Sequence, residues 1–151
     1  MNKIYYTQPE IDELISELIK KIEANHHATW PPRFSVVVGI ENGGVHISKK
    51  VADALELEHK TVKISHYRGD KFGPIPIVET NFFHCDLHNR GVLVVDDLVD
   101  SGYTIAAFEK YCGILGLEDA VAVLFKKPTS IYTPEFYVRE ETAWVVFPWE
   151  V

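Results

Sequence analysis

The chain has 151 residues, of which 46% are hydrophobic and 25% charged, with a formal net charge of −7. That is the size of one ordinary domain with a core of its own, so disorder as the main state is excluded. The acidic balance excludes a protein that coats nucleic acid, which needs a basic surface. It does permit a local anion site, built mainly from backbone N–H groups or a bridging metal. Two cysteines, Cys85 and Cys112, give no disulfide framework and suit a reducing compartment. Met1 to Glu10 lacks the apolar core of a signal peptide, and no uncharged stretch approaches the roughly 18 residues of a membrane span. The expectation is one soluble, cytoplasmic domain over 1–151.

The spacing of Ile11, Leu14, Ile15, Leu18, Ile19 and Ile22 predicts an amphipathic helix over 8–24, opened by a Thr7/Glu10 capping box with Pro9 in the first turn. His26 and His27 fall in the loop that follows. Phe34 to Ile40 is a Val-rich run, the pattern of a strand covered on both faces. Glu41-Asn42-Gly43-Gly44 breaks it, and Val45 to Leu55 reads as a helix. Thr61 to Ser65 is a second strand. His66 to Pro76, with two glycines and two prolines, reads as a long mobile loop, and Ile77 to Phe83 as a returning strand. Gly91 to Val95 is a third buried strand, followed by a helix over Ile105 to Leu115 and a strand over Ala120 to Phe125. Aromatic segments at Phe136 to Val138 and Trp144 to Phe147 close the chain. Strands alternating with helices predict an α/β fold on a parallel sheet, with ligands at the carboxyl ends of the strands.

The carboxyl end of the Gly91 strand carries the strongest signal. Asp96 and Asp97 are placed where the strand stops, Asp100 lies in the turn, and Ser101-Gly102-Tyr103-Thr104 opens a helix. A helix N-terminus presents unpaired N–H groups to a phosphate. Gly102 allows close approach, and the hydroxyls of Ser101 and Thr104 add donors. Vicinal carboxylates accept from two sugar hydroxyls, directly or through Mg²⁺. The combination reads as a sugar-phosphate cradle. An acidic D-D-x-x-D motif of the helical prenyl synthases would lie inside a helix, not after GVLVV. A phosphoreceiver domain needs more chain after its first acidic strand than follows Asp97. His84, Cys85 and His88 match no tight zinc spacing and read as a polar turn.

GVLVVDDLVDSGYT resembles the phosphoribosyl diphosphate signature of the type I phosphoribosyltransferases, and the resemblance extends along most of the chain. It implies that family's fold, a central parallel sheet flanked by helices with a small C-terminal hood. Glu41-Asn42-Gly43-Gly44 is similar to the family's diphosphate loop, which implies binding by Asn42, Gly43 and Gly44 and a non-proline cis peptide joining Glu41 to Asn42. Lys127-Pro128 and Trp144 to Glu150 resemble the xanthine-guanine and hypoxanthine-guanine branch. The resemblance then implies a base pocket within 127–151, in which Lys127 reads a purine 6-oxo group, Trp144 stacks on the base and the Val145 backbone reads its edge. Lys126 is the alternative reader. It further implies ribose hydroxyls and Mg²⁺ at Asp96 and Asp97, directly or through water, and a 5-phosphate wrapped by Ser101, Gly102, Tyr103 and Thr104. Asp100 is the implied proton acceptor. Tyr67, Arg68 and Lys71, in the 66–76 loop, are placed near the diphosphate. The implied activity is transfer of ribose 5-phosphate from phosphoribosyl diphosphate to a 6-oxopurine (guanine, xanthine or hypoxanthine), releasing diphosphate, in purine salvage, by a homodimer or higher homo-oligomer. A non-catalytic phosphoribosyl-diphosphate-binding regulator and an enzyme for another base are the alternatives.

Overall fold

A computed structural model describes residues 2–69, 73–80 and 91–151, with the backbone alone for 66–69 and 73–76. In chain order the elements are β1 (Lys3–Tyr5), α1 (Gln8–His26), β2 (Val36–Glu41), α2 (Gly43–Leu55), β3 (Glu58–Gly69) and β4 (Gly73–Thr80). There follow β5 (Gly91–Val99), α3 (Tyr103–Ile114), β6 (Glu118–Lys126), β7 (Phe136–Glu140), β8 (Trp144–Val146) and a 3-10 turn over Pro148–Glu150. Six strands form one sheet in the order β4-β3-β2-β5-β6-β7. All pairs are parallel except the β3–β4 hairpin at the edge.

This order places the site. From β2 the chain winds outward through β3 and β4, then returns to β5 beside β2 and winds the other way. The carboxyl ends of β2 and β5 therefore diverge at the topological switch point, where a crevice opens. The side chains of the central strands alternate between two cores. Val37, Leu93, Val95, Ala122 and Leu124 pack under α1 and α2. Val36, Val38, Val92, Val94, Val121 and Val123 pack under α3. Burial on both faces explains why these strands read as unbroken apolar runs.

Helix α1 opens as its capping box requires. Thr7 Oγ1 accepts from the Glu10 N–H at 3.3 Å, and Glu10 Oε1 accepts from the Thr7 N–H at 3.1 Å. The helix runs past the expected end and includes His26, which is not a loop residue. The ring is buried, Nδ1 accepts from the Phe34 N–H at 3.0 Å, and it stacks on Phe34 at 5.7 Å.

Two other boundaries differ from expectation. The segment read as a loop over 66–76 is strand over 66–69 and 73–76, paired from Val62↔Thr80 to Gly69↔Gly73. Prolines at 74 and 76 are compatible with it because β4 is an edge strand, where a missing donor leaves no neighbour unpaired. Strand β1 was not anticipated. It is three residues long and pairs with β8, Ile4 opposite Val145. A three-residue strand has no periodicity to read. Residues 81–83, His84, Cys85, His88 and Lys71 lie outside the described residues.

Candidate active site at the switch point

Asp96 and Asp97 do not end their strand. β5 continues to Val99 because β6 keeps pairing with it, Leu98 opposite Phe125 and Val99 opposite Lys126. The two carboxylates thus project from a rigid, hydrogen-bonded strand. Asp96 Oδ1 accepts from the Asp97 N–H at 2.8 Å. Both acids are held above their usual range. Burial is the first cause for each, and the neighbouring Asp97 charge adds at Asp96. Such a pair favours a bound cation or sugar hydroxyl donors.

The loop after β2 closes on this pair. The Glu41–Asn42 peptide is cis, as the family resemblance implies. Gly43 begins α2, with Asn42 at its N-cap making no side-chain cap bond. A β-carbon on Gly43 would lie 2.0 Å from Asp97 Oδ2, and one on Gly44 would lie 2.7 Å from the Val95 carbonyl and 3.0 Å from Asp96 Cα. Glycines are needed here because the α2 N-terminus rests directly on the acid pair.

Below β5 the turn opens a cavity of about 120 Å³ bordered by Asp96, Asp100, Ser101, Gly102 and Thr104. Gly102 has φ +93°, a left-handed conformation suited to glycine. Helix α3 starts at Tyr103, whose side chain is 61% exposed and does not border the cavity. Of the four residues expected around a phosphate, three line the cavity with Asp100. Tyr103 offers its backbone N–H, which donates to Ser101 Oγ at 3.4 Å.

A second cavity, about 200 Å³, brings Lys127, Trp144 and Val145 against Asp97 and Asp100. The Lys127 N–H continues the sheet by donating to the Val99 carbonyl at 2.9 Å, while its Nζ donates to the Ala143 carbonyl. Lys126 points elsewhere and pairs with Glu140 at 3.2 Å. Adjacent strand residues face opposite ways, and only Lys127 of the two faces this cavity. Trp144 is 51% exposed, and Val145 is buried.

Phe147 and Glu150, which fall within the expected 127–151 pocket without an assigned role, also line this cavity. Glu150 Oε2 accepts from the Phe147 N–H at 2.9 Å, and its charge contributes to the rise at Asp97. Trp149 stacks between His46 of α2 and Phe147, with ring centroids 4.5 and 4.7 Å apart. The stack joins the base side of the cleft to the helix that covers the acid pair.

Among the described residues no cluster of three or more His, Cys, Asp or Glu side chains forms a ready-made metal cage. Two carboxylate oxygens from adjacent residues do fit Mg²⁺, which keeps several waters and shares its remaining positions with substrate phosphates.

A strand-end acid pair, a donor-rich turn at a helix start and a cavity with one tryptophan and one lysine lie together at the switch point. The phosphoribosyl transferase domain family matches residues 1–151, and the chain belongs to it. It is 27% identical over 118 residues to a xanthine-guanine phosphoribosyltransferase of Cereibacter sphaeroides, covering 76% of this chain and 68% of that protein. It is similar to a purine phosphoribosyltransferase structure from Pyrococcus horikoshii, at 27% identity and TM-score 0.85, over 100% of this chain and 96% of the other. It is also similar to a Neisseria gonorrhoeae protein solved with bound ppGpp, at 25% identity and TM-score 0.81, over 100% and 91%. The fold is that of the type I phosphoribosyltransferases, of the purine branch. No helix among the described residues is long and apolar enough to cross a membrane.

Proposed function

We propose that this chain transfers ribose 5-phosphate from phosphoribosyl diphosphate to a 6-oxopurine, releasing diphosphate. One observation carries the choice of base: Lys127, Trp144 and Val145 share a cavity with Asp100, directly beside the sugar-phosphate turn. A lysine donates to a carbonyl oxygen and repels the amino group that adenine has at the same position. Trp144 supplies the stacking face, worth roughly 1–3 kcal/mol per base. The similarity to a protein with bound ppGpp, a guanine nucleotide, supports a purine of this kind.

In this reading Ser101, Gly102, Thr104 and the Tyr103 backbone hold the 5-phosphate. Asp96 and Asp97 hold the ribose hydroxyls and Mg²⁺, and the Asn42–Gly44 loop faces the diphosphate. Mg²⁺, when bound, supplies positive charge against the departing diphosphate. Asp100 borders both cavities, which supports a position beside the base nitrogen and the sugar carbon in this reading. It accepts the proton that the base loses. Holding both substrates between these groups would let a two-substrate reaction proceed as if within one molecule. A cytosolic homo-oligomer is the setting that the family resemblance implies.

The test mixes the protein with Mg²⁺, phosphoribosyl diphosphate and each of guanine, xanthine, hypoxanthine and adenine, and follows nucleotide formation. Turnover with the oxopurines supports the reading. Tight phosphoribosyl diphosphate binding with no turnover of any base overturns it in favour of a regulator.

A further inference from the structure

Three ionisable side chains outside the cleft take no part in this chemistry. Glu109 stands on α3, Asp119 near the start of β6 and Tyr132 between β6 and β7. The Tyr132 hydroxyl donates to Glu109 Oε1 at 2.7 Å. The Asp119 carboxyl also meets Glu109, and its Oδ2 is buried with no hydrogen-bond donor among the described residues. A proton on Asp119 turns that orphaned acceptor into a donor towards Glu109. Burial, and next the contact with Glu109, push Asp119 up to about 7. The other groups facing the trio are Cys112 on α3, pushed up to about 12 chiefly by burial, and Glu135, which Arg33 binds.

The trio reaches the phosphate turn through Tyr132. A β-carbon on Gly102 would lie 2.9 Å from Tyr132 Cβ, 3.0 Å from its N and 2.9 Å from Ser130 Oγ. The Ile131 N–H donates to the Ser101 carbonyl at 2.9 Å. Ser130 Oγ donates to the Tyr132 carbonyl at 2.8 Å and accepts from the Tyr132 N–H at 3.1 Å. The ring held by Glu109 thus belongs to the residue that forms the wall behind Ser101 and Gly102.

We propose that Glu109, Asp119 and Tyr132 form a proton-sharing brace that positions the Ser101–Gly102 turn, and that losing the shared proton loosens the grip on the substrate's 5-phosphate. Without that proton two carboxylates face each other in a partly dry site, Tyr132 loses its fixed acceptor geometry, and the wall behind Gly102 slackens. These are positioning residues; they touch no substrate. The proposal rests on the phosphoribosyl reading for its substrate but not for the brace itself.

The experiment measures KM for phosphoribosyl diphosphate and kcat between pH 6 and 8.5, together with the dissociation constant of ribose 5-phosphate. In the wild type both KM and the dissociation constant rise, by roughly threefold or more, while kcat moves less. Asp119→Asn, which keeps a donor to Glu109 at every pH, flattens that rise. Tyr132→Phe has the high-pH values throughout. A rise in Asp119→Asn equal to the wild type's, or wild-type values in Tyr132→Phe at pH 6, overturns the brace. A second readout needs no turnover. Asp119 is raised in the folded state above its ordinary 3.8, so its stabilising contribution is present in acid and is lost as pH rises through about 7. Thermal stability should therefore fall over that range in the wild type and fall less in Asp119→Asn; equal slopes overturn the brace. If no base is turned over, the phosphoribosyl reading falls, and the brace is judged on ribose 5-phosphate binding and the stability slopes alone.

Discussion

The two walls of the cleft are built by opposite means. The proposed sugar-phosphate wall is glycine backbone pressed directly on its neighbours. Gly43 and Gly44 sit so close to Asp97 and to the Val95 carbonyl that no β-carbon fits, and Gly102 is pinned against Tyr132. The base wall is made of side chains that stack. Trp149 lies between His46 and Phe147, Phe147 leans on Phe125, and Phe125 meets Tyr6 at 4.9 Å. Its strand β8 hangs on β1, with the Trp144 N–H donating to the Asn2 carbonyl at 2.9 Å. A backbone wall fixes one geometry and suits a constant ligand part such as a phosphate. A side-chain wall can change which base it takes by single substitutions.

Perturbations at the two walls should therefore differ in kind. The largest effect is expected at Asp100, which belongs to both cavities. Asp100→Asn should lower turnover about 10²–10⁴-fold, the range for a lost proton acceptor, with little change in melting temperature. Unchanged turnover would remove Asp100 from that role. At the backbone wall, Gly43→Ala drives a methyl group into Asp97 Oδ2. Steady-state kinetics should show about a 10²-fold loss in kcat/KM for every base alike. A loss confined to one base would break the distinction between the walls.

At the base wall, Lys127→Met should leave phosphoribosyl diphosphate binding intact and reduce discrimination against adenine, by about 1–3 kcal/mol. Lys126→Met should leave base preference unchanged, since Lys126 is paired with Glu140. The reverse pattern would reassign the reader.

The smallest effect lies away from both walls, at His26. Burial holds this ring below its ordinary 6.5. The unfolded chain therefore takes up the proton first, and stability present above pH 6.5 should be lost as pH falls. His26→Gln should show a shallower decline in melting temperature below pH 6.5, and an unchanged decline would show that other groups set it.

What could be read from the sequence follows the same division. The acid pair, Asp100, Ser101 and Gly102 lie in one short stretch after an apolar strand, and Gly43 and Gly44 immediately follow another. Within the 96–102 stretch the relation is local, so motif and strand order group those residues, whereas Gly43 and Gly44 are nameable only through the family resemblance. Lys127 and Trp144 were nameable through family resemblance, yet what seats Trp144 is β1, at the other end of the chain, too short to leave a pattern. Glu150 has no role of its own in the sequence reading because its place in the cavity depends on a one-turn 3-10 helix and a ring stack of Trp149 with His46 of α2. The paired strands at 66–69 and 73–76 differ from the expected loop because prolines and glycines signal a loop, whereas the edge strand β4 accommodates the prolines. Asp119 gave no signal at all, since only packing brings it to Glu109.

The most direct test of the proposed function compares kcat/KM for guanine with that for adenine in the unmodified chain, at saturating Mg²⁺ and phosphoribosyl diphosphate. A donor lysine in the base cavity predicts a preference of at least about 10²-fold for guanine. Equal use of the two bases, or a preference for adenine, would contradict it.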